Sequence, residues 1–95
     1  MASGGVLQEA EELQRRLEET ILGLLAQRGA GKTICPSEVA RAVAGNETRG
    51  TWEPLMKPTR QAAEHLVAEG KLLITQKGTV VDGSTVKGAV RLRLR

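Results

Sequence analysis

Thirteen residues, Pro58-Thr-Arg-Gln-Ala-Ala-Glu-His-Leu-Val-Ala-Glu-Gly70, constrain this chain more than any other stretch. Proline suits a first helical position, because its ring already holds a helical φ and its missing N–H would be unpaired there. Glycine suits the left-handed residue past a helix end. Together they frame one short helix. Ala63, Leu66 and Val67 fall on one side of it and Arg60, Gln61 and Glu64 on the other, with Ala62 between. The apolar side requires a core. Part of one follows directly: strand-like Leu72 to Gln76, turn signals at Lys77-Gly78 and Asp82-Gly83-Ser84, then Gly88 and a last strand. In that strand Val90, Leu92 and Leu94 alternate with Arg91, Arg93 and Arg95. One face is core; the basic face is read either as solvated or as facing phosphate.

The strongest periodic signal lies at the other end. Leu7, Ala10, Leu13, Leu17, Ile21, Leu24 and Leu25 recur at three or four and predict an amphipathic helix from Val6 to Gln27. Glu9, Glu11 and Glu12 suit its positive end and Arg28 its negative end. Glu11/Arg15 and Glu12/Arg16 are i,i+4 pairs worth ~0.3 kcal/mol each. Gly23 costs about 1 kcal/mol against alanine, which reads as the mark of a close helix crossing. At ~1.5 Å per residue the helix exceeds what a small core needs, so its first two turns overhang. It is either a long solvated helix or a dimerisation seam. Residues 1–5 are read as a disordered lead and 6–95 as a single domain.

Gly29-Ala30-Gly31-Lys32-Thr33 invites comparison with a phosphate-binding loop, but Ala26 stands where the first glycine belongs, and the loop follows a helix instead of a strand. It is a helix-ending turn. Thr33-Ile34 reads as a short strand. Pro36 to Ala44 reads as a second helix, with Cys35 at its N-cap, Glu38 at its third position, Val39 and Val43 inward and Gly45 closing it. Asn46 to Lys57 is turn-like, long for a helix-turn-helix connection. Within it Trp52, Leu55 and Met56 are spaced for one turn packing on the domain, with Trp52 as a core plug.

Composition narrows the functions. Trp52 is the only aromatic among 95 residues, so the core is built from Leu, Val, Ile and Ala, and the stacking platforms of single-stranded nucleic-acid binders are missing. A net charge of +3 permits a polyanionic partner without demanding one. The single cysteine, Cys35, excludes an internal disulfide and favours a reducing compartment. Neither an export signal nor an apolar run of ~20 residues is visible, so the expected location is cytoplasmic, or nuclear in a eukaryote, and not secreted.

Thr33-Ile34-Cys35-Pro36-Ser37-Glu38-Val39-Ala40-Arg41, Trp52 with Leu55-Met56, Arg60, Ala63, Gly70, Thr75-Gln76-Lys77-Gly78 and Gly88-Ala89-Val90-Arg91-Leu92 occur in an order that resembles the DUF3253 family, over roughly residues 21–94. The family is similar to winged-helix domains. The resemblance implies an α+β fold of three helices and a small antiparallel sheet with a hairpin wing, which is also where the local reading leads. It implies no activity.

An enzyme is not expected. His65 and Cys35 are each single, no Cys/His cluster has metal spacing, and the acidic residues concentrate in the first helix as salt-bridge partners. No cofactor, metal or small-molecule substrate is expected. The leading expectation is double-stranded DNA, with the helix 58–70 in the major groove and the wing 77–88 on phosphates. Its candidate contacts are Arg49, Lys57, Arg60, Gln61, Lys77 and Lys87. Glu64 on the same face repels phosphate, and Arg60 has an alternative structural role as partner of Glu53 or Glu64. The competing expectation is a winged helix that binds protein, or a homodimer through the first helix, without DNA.

Overall fold

Leu17, Ile21 and Leu25, each four residues from the next, are completely buried and form the line against which the other elements pack. They belong to α1 (Ala2–Arg28) of the computed structural model, which describes residues 2–95, with side chains from Glu9 onward. α1 begins four residues ahead of the expected Val6, and residues 2–5 continue it instead of standing outside it. Backbone hydrogen bonds propagate through glycine once a helix is nucleated. Met1 and the Leu7 side chain lie outside the described residues. Glu9 to Glu12 are exposed, so this end overhangs as expected. Arg15 pairs with Glu12 at i,i+3. Gly23 marks no crossing: it is exposed, and a Cβ there would meet nothing within 4 Å.

Gly29 and Gly31, at φ of 105° and 76°, turn the chain out of α1 into β1 (Thr33–Ile34). α2 (Pro36–Ala44) has the expected bounds. Glu38 reaches back one turn, and its carboxylate accepts the Cys35 N–H at 2.7 Å, supplying a partner for a backbone donor that the helix start leaves open. The long connection after α2 is itself helical: α3 (Arg49–Trp52) runs through a 3₁₀ turn (Glu53–Leu55) directly into α4 (Met56–Ala68). α4 therefore starts two residues before Pro58, which still lies in the first turn, where a missing N–H costs nothing. Trp52 is half-buried and outside the core; its ring lies under the Arg41 guanidinium, 4.5 Å from the centroid, so it is a cation–π partner and not a plug.

The buried face of α4 is Thr59, Ala62, Ala63 and Leu66, at i, i+3, i+4 and i+7. The Thr59 hydroxyl is satisfied internally, donating to the Leu55 carbonyl at 2.7 Å. Val67, expected inward, is 36% exposed, while Ala62, expected at the margin, is fully buried. The helix is thus rotated toward α1. Its end follows the expectation. Gly70 takes φ 77°, its N–H donates to the Val67 carbonyl and the Lys71 N–H donates to the Leu66 carbonyl. This pair of bonds closes the last turn as a Schellman motif.

β2 (Leu72–Gln76), β3 (Thr79–Val80) and β4 (Arg91–Leu94) complete an antiparallel sheet in the order β1-β4-β2-β3. Leu92 pairs with Ile34 on one side and Ile74 on the other, and all three are buried against the helices. The fold is α+β, with helices packed on a small four-stranded antiparallel sheet. Among the described residues, no helix is long and apolar enough to cross a membrane.

Candidate functional site

Three of the residues expected to contact a partner lie on the two segments that meet where α4 touches the loop between β3 and β4. Arg60 is half-buried on α4, and its Nη1 donates to the Gly88 carbonyl at 3.3 Å. Lys87 precedes Gly88 in the chain, and Lys57 stands one helical turn ahead of Arg60; both are exposed. Two of these cations stand on the helix and one on the loop that touches it. Glu53 does not serve Arg60: it pairs with Arg49 across one turn of α3 and the 3₁₀ segment. Arg60's structural partner is the carbonyl. Beside it opens a cleft of about 140 Å³ whose lining includes Cys35, Pro36, Met56, Arg60 and Val90.

The loop is held in place along its length. The Gln76 side chain donates to the carbonyls of Lys87 at 2.7 Å and Ala89 at 3.2 Å, and Gly88 between them takes φ 91°. At the other end Asp82 Oδ1 accepts from the Ser84 hydroxyl at 2.6 Å and the Ser84 N–H at 2.9 Å, and these bonds hold its carboxyl below the usual range. Val81 donates to the Ile74 carbonyl at 2.9 Å. Gly83 lies so close to Ile74 and Glu64 that a Cβ would overlap Ile74 Cδ1. The loop lies along the flank of α4 that carries Arg60, Glu64 and Val67.

The other expected contacts are dispersed. Gln61 is exposed on α4 and, with Pro58, lines a groove against Ala10, Leu13 and Gln14 of α1. Lys77, at φ 52°, is exposed in the β2–β3 turn. Arg49 is exposed and paired with Glu53. The alternating arginines are not a free row. Arg91 donates from Nε to Thr33 Oγ1 at 2.9 Å, from Nη2 to the Thr33 carbonyl at 3.2 Å and from Nη1 to Cys35 Sγ at 2.6 Å, tying β4 to β1. Arg93 Nε is buried without a partner among the described residues, and Arg95 is exposed.

Next to Arg91, Arg28 donates to the Thr33 carbonyl at 3.2 Å and to Glu38 at 2.6 Å. That Arg28 bond, then the Cys35 N–H, keeps the Glu38 carboxyl below its ordinary range. His65, the single histidine, is exposed on α4 and has its Nδ1 2.9 Å from Glu18 Oε2. Sequence reasoning missed the latch that the Gln76 amide makes to the carbonyls of Lys87 and Ala89 on either side of Gly88. The glycine was a signal for the turn; nothing in the sequence pointed to the Gln76 amide.

The profile of a family described as DUF3253, protein of unknown function, matches residues 14–95. The match begins ahead of the expected residue 21 and takes in the buried part of α1. No curated protein matches the chain.

Proposed function

The chain belongs to the DUF3253 family, and from that premise we propose that it is a winged-helix domain that binds double-stranded DNA. The strand order β1-β4-β2, with α4 immediately before β2 and the loop between β2 and β4 beside it, supports α4 as recognition helix and residues 77–88 as wing. The observation that carries the reading is the Arg60–Gly88 contact, which joins the helix bearing Lys57 and Arg60 to the loop bearing Lys87. In this reading Lys57 and Lys87 act on phosphates as point charges. Arg60 uses one of its five donors on Gly88 and keeps the rest for a guanine edge. Glu64, one turn beyond Arg60, rejects phosphate but can accept from cytosine N4.

Anisotropy titration of labelled duplex DNA at several salt concentrations tests this. The dissociation constant should rise linearly with salt on logarithmic axes, with a slope near 0.9 per phosphate contacted. Lys57→Ala and Lys87→Ala should each lower that slope by about one, uniformly across sequences, and Arg60→Ala should cost about 1–3 kcal/mol at preferred sites only. If no duplex binds at low salt, the DNA reading fails and a protein-binding role for the same domain takes its place.

A further inference from the structure

We propose that Glu18, His65 and Glu69 form a binding site for one divalent transition-metal ion of the zinc class, clamping α1 to α4. His65 lies in the last turn of α4 and Glu69, the helical-conformation C-cap, follows at i+4 on the same side, the spacing with which two residues of one helix bind a metal together. Glu18 comes from the facing turn of α1. One ligand atom from each residue lies within 4.8 Å of the others. His65 Nδ1 is 2.9 Å from Glu18 Oε2 and 3.9 Å from Glu69 Oε1. Tetrahedral zinc, with bonds of about 2.0–2.2 Å, holds its ligand atoms about 3.3–3.6 Å apart. The two observed separations bracket that distance, so small side-chain rotations admit an ion.

The surroundings fit the same role. The Glu18 side chain is only 17% exposed and Gln14 donates to it at 2.8 Å, which orients the carboxylate in the way an outer partner orients a metal ligand. His65 and Glu69 are half-exposed, so an ion can reach them. One imidazole nitrogen with two carboxylates is a donor set suited to zinc, and three protein ligands leave a fourth position for water. An ion on Nδ1 takes the place of the His65–Glu18 hydrogen bond and requires the neutral imidazole to carry its one hydrogen on Nε2. Lys71 competes: its Nζ lies 3.5 Å from Glu69 Oε1.

The test uses the untagged full chain, zinc chloride titration by calorimetry, thermal melts, and the visible spectrum with cobalt(II). Binding of one ion per chain is expected, with Tm rising by about 10 °C at a hundredfold excess over Kd. Affinity should fall at least tenfold in His65→Ala and Glu69→Gln, rise severalfold in Lys71→Ala, stay unchanged in Cys35→Ser, and weaken on acidification. Cobalt(II) should give the intense visible bands of a four-coordinate site. No saturable binding below about 1 mM zinc overturns the proposal. So does binding that survives both His65→Ala and Glu69→Gln, or that disappears with Cys35→Ser.

Discussion

Two glycines of the same chain should respond to alanine in opposite directions. Gly23 lies on an open face of α1 with nothing within reach of a Cβ, so Gly23→Ala should stabilise the protein by ~0.5–1 kcal/mol through helix propensity alone. Gly83 has Ile74 where the Cβ would go, so Gly83→Ala should destabilise it by about 1–3 kcal/mol. Urea unfolding of the pair checks both signs. Glu38 adds a pH signature. Its pKa is depressed in the folded protein by the Arg28 bond and then the Cys35 N–H. Its contribution is therefore complete above the ordinary value of 4.5 and lost as pH falls through the lower folded value. Glu38→Gln should cost about 1 kcal/mol at neutral pH. Unfolding free energies measured at neutral and strongly acidic pH should show that gap closing in acid.

At the scale of elements, legibility depended on whether the boundary signals were local. α2 runs from Pro36 to Ala44 as read, because proline, the Glu38 cap and Gly45 all lie within it or beside it. α4 ended as read and began elsewhere, because Glu53–Leu55 carry the helix in as a 3₁₀ turn and that continuity has no spacing of its own. Periodicity placed the inner face of α4 to within one residue; whether Ala62 or Val67 was inside depended on the crossing with α1 and on the loop beyond, both distant in sequence. The same distinction governs the candidate site. Lys57, Arg60 and Lys87 were legible one by one, but the contact that joins their two segments links residues 28 apart, Arg60 and Gly88. The closing motif of α4 gives a further prediction: with Gly70 at φ 77°, Gly70→Ala should cost about 1–2 kcal/mol, seen as a lower urea midpoint at unchanged slope.

For the whole molecule, the proposed contact surface is assembled only when the loop is fastened to both the sheet and α4. Gln76 supplies the sheet-side fastening through two bonds to carbonyls, both partly exposed to water. Gln76→Ala should therefore leave global stability within ~1 kcal/mol of the parent while hydrogen exchange at residues 81–89 accelerates and DNA affinity falls. A global loss of protection would instead make the loop part of the folding core. The stacking of Arg41 on Trp52 has one more consequence. With no tyrosine or phenylalanine in the chain, every photon absorbed near 290 nm and re-emitted comes from that indole. Intrinsic fluorescence is therefore a label-free gauge of one place, the junction of α2 and α3 just before α4. A ligand that rearranges this entrance changes emission directly, and one that binds at the far end of α1 leaves the spectrum still.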